Sequence, residues 1–168
     1  MVCTVDHLAT AAGVAMLRAG GSAADAAVAA SAVLAVTTQH MCGMGGDLLA
    51  VIAPPAGPPV VLNASGRAGS GADADRLRAD GHVAMVFRED IRSVPIPGCV
   101  DGWAALHSRF GRLPWADVLA PARRYADDGF PASPTLAAAT AAIAQHPAAA
   151  DYRAAGALRP GDLVRRPG

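Results

Sequence analysis

The spacing of hydrophobic positions changes several times along the chain, and each change marks an element. Val2–Val5 is a short run with strand character, and Asp6 behind it is placed to cap a helix. Leu8, Ala11, Ala12, Ala15 and Met16 recur at helical spacing, and Gly20-Gly21 ends that helix. Ser22, with Asp25 three positions on, reads as a capping box. It opens a second helix over 23–36, built of Ala and Val with hardly a polar face, which predicts burial on most sides. Gly43, Gly45 and Gly46 predict a tight reversal into a strand at Leu48–Ile52.

Beyond Ile52 the prolines and glycines set the rhythm. Pro-Pro-Ala-Gly-Pro-Pro at 54–59 is a turn, and Val60–Leu62 is its returning strand, which together predict a hairpin at a sheet edge. Residues 64–82 carry Gly, Ala, Asp and Arg without a period and read as a surface excursion. Val100, Trp103, Ala104, Leu106, His107 and Phe110 predict an amphipathic helix closed by Gly111. Pro114 is placed as the first-turn proline of the next helix, which Gly129 closes. A third, Ala-rich helix is predicted over roughly 134–146, ahead of a charged tail from 151.

Composition narrows the chemistry. A chain of 168 residues has one-domain length and no internal repeat. Its apolar fraction is 52%, but aromatics are 4% and alanine is about a quarter of the chain, so the core is thin for its size. The formal net charge is zero, which argues for neither nucleic acid nor an anionic membrane surface. All basic residues are Arg, which excludes a phosphate-loop lysine and a Schiff-base lysine. No apolar run is long enough to span a membrane, and no secretory signal segment is visible, so the chain as it stands reads as cytoplasmic.

Candidate reactive groups are few. Cys3, Cys42 and Cys99 are widely spaced and form no CxxC pair; buried reduced thiols are expected. The loop Met41–Asp47 lacks a GxGxxG register and leads into a strand, so it is read as a chain reversal and not a phosphate cradle. His40 and Asp47 flank it, yet His7, His82, His107 and His146 have no ligand spacing to them, and no metal or other cofactor is expected. Cys42 beside His40 lacks the third group that would orient a nucleophile pair. Trp103 and Trp115 are read as packing anchors.

Several ordered blocks resemble the γ-glutamyltransferase family. HLATAAGVAMLRAGGSAADAAVAASAVLAVTTQHMCGMGGD (7–47) is similar to the opening of that family's large subunit. LNASGRA (62–68), SVPIPGCVDGW (93–103) and FGRLPWADVLAPARRYADDGFPAS (110–133) resemble later family segments, the second with Ile96 and Pro97 as extra residues or an equivalent local shift. GALRPGDLVRRPG (156–168) is similar to a stretch that normally continues. The resemblance implies an α/β (α+β) fold: an αββα sandwich of the N-terminal nucleophile hydrolase type, of which this chain is an incomplete, helix-rich part.

The resemblance also implies an activity: cleavage of γ-glutamyl amides such as glutathione, by a threonine freed at the start of a small subunit. No catalytic residue in this chain matches that apparatus. Arg67 matches the family arginine that holds the substrate α-carboxylate, although Gly69 replaces a common proline nearby. Arg88, in Phe87-Arg88-Glu89, stands in a context some relatives use, but falls out of order and ranks below Arg67. The expected partners are a γ-glutamyl compound and the small subunit. The chain is expected to be a piece of a large subunit over 1–168, silent and prone to aggregate alone. A related acylase of the same superfamily, for glutaryl- or cephalosporin-type amides, and a non-catalytic assembly subunit are the alternatives.

Overall fold

A computed structural model describes residues 1–85, 90–142 and 158–165. The described elements are α1 (His7–Arg18), α2 (Ala23–Thr37), β1 (Leu48–Ile52), β2 (Val60–Ala64), α3 (Ala74–Ala79), a 3-10 turn at Ile91–Ser93, α4 (Cys99–Phe110), α5 (Trp115–Asp128), β3 (Phe130–Pro131), α6 (Pro134–Ala142) and β4 (Leu163–Val164). The chain divides into two compact units. One joins residues 1–43 to 105–168, and the other is 44–104.

In the first unit α2 is the central element, with α1 and α5 both packed on it. Local chemistry sets its ends as expected. The Asp6 carboxylate accepts the Leu8 amide at 2.7 Å to start α1. Gly20, at φ +86°, ends it, its amide bonding Leu17 O while Gly21 N reaches Met16 O. Ser22 Oγ accepts the Asp25 amide at 3.2 Å and Asp25 Oδ2 accepts the Ser22 amide at 2.7 Å, completing the capping box of α2. Val28, Ala29 and Val33 are fully enclosed, and burying each valine side chain contributes on the order of 1.5–2 kcal/mol.

The buried face of α1 differs from the expected one. Ala9, Ala12, Gly13 and Met16 turn inward, while Ala11 and Ala15 are exposed. The spacing is helical either way; in a stretch this rich in Ala, side-chain size does not mark the inner stripe. Val2–Val5 forms no strand: Val2 lies against Gly13 of α1, and Val5 is exposed. α5 is opened by Pro114 at the cap itself, one position before the first helical residue. Gly129 at φ +92° closes it.

Beyond α5 a pairing appears that no local pattern predicts: Phe130 opposite Val164 and Pro131 opposite Leu163, antiparallel. Phe130, Ala132, Leu136 and Val164 form a small core there, joined by Leu8, Val36, Tyr125 and Leu158. The expected third helix is present as α6 up to Ala142; its remaining positions, 143–146, with His146, lie outside the described residues.

The second unit is built on the β1–β2 hairpin, which pairs Leu48 with Ala64 through Ile52 with Val60. Leu48, Ala50, Ile52, Val60, Leu62 and Ala64 occupy its half-buried face, and Leu49, Val51 and Val61 are exposed on the other. The excursion contains the short helix α3, with no buried residue and capped by Asp73, so it is more ordered than its composition implies. α4 starts in this unit. Cys99, Gly102, Trp103 and Leu106 are its buried positions, whereas Val100 and Ala104, expected on the apolar stripe, are exposed. Gly102 lies directly over Leu48 and Ala64, which leaves no room for a larger residue at that turn.

Candidate functional site

The candidate site grows from the end of β2. Asn63 Oδ1 accepts the Ser65 amide at 3.1 Å and starts a turn out of the strand. Gly66 continues it at φ +84°, a conformation that L side chains rarely adopt. Arg67 follows, exposed, and no described residue pairs with its side chain. An unpaired guanidinium keeps its five donors in a planar fork and stays charged at every working pH, which suits a carboxylate.

The main chain around Arg67 is held by the segment before α4. The Ile96 amide donates to the Arg67 carbonyl at 2.9 Å. A Cβ at Gly66 would overlap the Ile96 carbonyl oxygen, and one at Gly98 would overlap the Ala64 carbonyl oxygen and stand 2.6 Å from Gly66 N. The amides of Gly98 and Cys99 both donate to Gly46 O at 3.0 Å. Three separate stretches, 44–47, 63–67 and 95–99, therefore meet through backbone atoms. The sequence reading singled out Arg67 but missed Ile96 and Gly98. Their signal was present as a glycine before the arginine and an unusual Pro-Ile-Pro-Gly run.

Other candidates fare differently. Cys99 is buried, but Cys3 and Cys42 are exposed; none of the three is in a disulfide. Cys3 lies on the N-terminal segment and Cys42 in the glycine loop. The Cys42 Sγ points to Thr38 O at 3.7 Å, and partial burial of the thiol pushes its pKa up, away from nucleophile behaviour. His40 is half-buried with both ring nitrogens enclosed and unbonded to any described residue, so it does not form a pair with Cys42. Gly43, Gly45 and Gly46 do not take positive φ; the chain turns at 44–46 before entering β1. Among the described residues no group of three His, Cys, Asp or Glu gathers to hold a metal. Trp103 is buried; Trp115 is half-buried, with its ring 5.0 Å from that of His107. Arg88 lies outside the described residues.

The family pattern of gamma-glutamyltranspeptidase matches residues 9–168. The chain belongs to the gamma-glutamyltranspeptidase family. It is similar to the glutathione hydrolase-like YwrD proenzyme of Bacillus subtilis, with 44% identity over 79% of this chain and 25% of that one. It is also similar to the oxamate amidohydrolase proenzyme of Klebsiella pneumoniae, with 40% identity over 99% of this chain and 33% of that one. Proenzymes named as acylases are among the relatives too. The solved gamma-glutamyltranspeptidase of Pseudomonas nitroreducens superimposes with a TM-score of 0.83 at 29% identity, covering 99% of this chain and 50% of that chain. The chain thus spans a quarter to a third of these curated relatives. Its fold is a helix-rich α/β part of the N-terminal nucleophile hydrolase architecture that gamma-glutamyltranspeptidases share.

Proposed function

We propose that this chain is the Arg67-bearing part of the large subunit of a γ-glutamyl amide hydrolase or transferase. Arg67 grips the α-carboxylate of the γ-glutamyl group by a bidentate pair of charge-assisted hydrogen bonds. The observation that carries this reading is an exposed guanidinium, unpaired among the described residues, on a loop whose backbone is fixed on both sides. The chemistry belongs to the threonine of a small subunit, made from the same precursor or supplied by a separate gene. Its Oγ attacks the γ-carbonyl carbon while its own α-amine takes the hydroxyl proton. The tetrahedral intermediate expels the amine, which leaves with that proton, and water or an amino acceptor then releases the acyl group. This chain alone has no turnover and tends to aggregate.

The test is a chimaera in which this chain replaces the corresponding part of the Bacillus subtilis proenzyme, assayed with γ-glutamyl-p-nitroanilide. The expected result is hydrolysis by the chimaera, none by the chain alone, and a donor KM raised roughly 30-fold or more by Arg67→Ala. Turnover by the isolated chain, or an unchanged KM in that variant, would overturn the reading. A second reading, an amidohydrolase or acylase for another carboxylate-bearing amide, is favoured by the 40% identity to the oxamate amidohydrolase proenzyme. Comparing γ-glutamyl, glutaryl and oxamate donors by kcat/KM separates the two.

A further inference from the structure

We infer that Gly66, Ile96 and Gly98 form a backbone clamp that positions Arg67 for carboxylate recognition. The inference rests on the role proposed above for Arg67, and adds residues to which that role assigned nothing. The geometry is reciprocal. Gly66 leaves its loop at φ +84° so that the chain passes directly under the Ile96 carbonyl. A Cβ there would also stand 3.1 Å from Ile96 C and 3.4 Å from Gly98 N. Gly98 fits as closely from the other side, against Ala64 and Gly66 N. Between these two contacts, the Ile96 amide bonds the carbonyl of Arg67 itself at 2.9 Å. The clamp is anchored in turn, because Gly98 N and Cys99 N both hold Gly46 O at the start of α4.

The arrangement has a functional logic. The Arg67 side chain is exposed and has no described partner, so nothing at the guanidinium end restrains it. A bidentate grip is effective only where the fork already points correctly, since a displacement of about 1 Å at a binding group can cost on the order of a hundredfold. Fixing the peptide on both sides of the Cα removes the main-chain share of that freedom. None of these three residues touches substrate in this scheme; they are positioning residues.

The experiment compares Gly66→Ala, Gly98→Ala and Gly69→Ala in the active chimaera, Gly69 being a loop control with open space around its Cα. For the first two, donor KM is expected to rise about tenfold or more with kcat within twofold, and Gly69→Ala to leave both unchanged. A donor analogue lacking the α-carboxylate should show no difference among the variants, a pattern that general unfolding does not produce. Equal KM in all three enzymes overturns the clamp. If either variant fails to fold, Ile96→Pro, which removes the amide bonded to Arg67, takes its place with the same expectation. A separate arm uses the chimaera, with trypsin cutting after Arg67 measured against the cut after Arg112. Gly66→Ala or Gly98→Ala should accelerate the Arg67 cut selectively, by about tenfold, and an unchanged ratio overturns the immobilisation. If instead Arg67→Ala leaves KM untouched, the carboxylate role falls, and the trypsin arm alone decides whether the clamp exists.

Discussion

The carboxylate of Asp25 accepts the main-chain amide of Arg112 at 2.9 Å across 87 positions of sequence. Asp25 is fully buried, and the same carboxylate also takes the amide and hydroxyl of Ser22. One side chain thus caps α2 and ties the α4–α5 connection to it. His107 Nε2 stands 3.6 Å from Oδ1 while bonding Leu113 O at 2.8 Å. Burial pushes the Asp25 carboxyl up, but the hydrogen bonds from Ser22, Arg112 and Leu113 outweigh it, and its pKa lies below 3.8.

Asp25→Asn should therefore destabilise the fold by about 2–4 kcal/mol, because its amide nitrogen cannot accept where a carboxylate oxygen now does. The pH dependence follows from the depressed pKa. The contribution is fully present above the unfolded value near 3.8 and is lost as pH falls through the folded value. Urea unfolding at pH 7 and at pH 3 checks both points. A wild-type advantage that does not shrink in acid would contradict the assignment.

The inward face of α1 and the packing of α2 can be separated by adding volume. Ala29 is fully enclosed and Ala11 is exposed. Ala29→Leu should cost about 1–3 kcal/mol through overpacking, whereas Ala11→Leu should change stability by less than about 0.5 kcal/mol. Thermal melts of the two variants decide the matter, and comparable losses would mean that the face is assigned wrongly.

On the surface of the second unit, Arg92 bonds Asp90 at 2.7 Å and reaches Asp80 at 3.4 Å and His82 at 3.5 Å. Its guanidinium bonds hold the Asp90 carboxyl at about 2. Arg92→Ala should let that carboxyl titrate higher, toward 3.8, with the residue-92 amide still holding it below that value, which carbon-detected NMR of the side chain would follow. Stability should barely move, since the pair is solvent-exposed and screened.

Arg67→Lys tests the fork independently of the charge. An ammonium is a point donor on a flexible stem and cannot reproduce two parallel bonds to one carboxylate. In the active chimaera its donor KM should rise roughly tenfold, with kcat little altered. Kinetics equal to those of the arginine enzyme would mean that charge alone is read there.

What the sequence made legible was mainly the punctuation of the helices. Asp6, Ser22 with Asp25, Gly20 and Gly129 act within a few residues of themselves, so their chemistry is local and readable. The inward stripe of α1 was not, because Ala9 and Ala11 are the same residue and only tertiary packing distinguishes them. Nor was the pairing of Phe130 with Val164, which depends on a return of the chain that two-residue strands do not announce. Arg67 was found by resemblance to a known pattern, while its supports were missed because they act through main-chain atoms and leave glycine as their only trace.

That trace has a consequence for how such a site can change. The frame around Arg67 is written at a few α-carbons, and the side chains of Ala68 and Ser70, exposed beside it, take no part in it. Position and surroundings are thus inherited separately. If Arg67 is the anchor proposed above, a lineage can exchange the neighbouring side chains one at a time, re-tuning which acyl chain is welcomed, while the cation stays where it is.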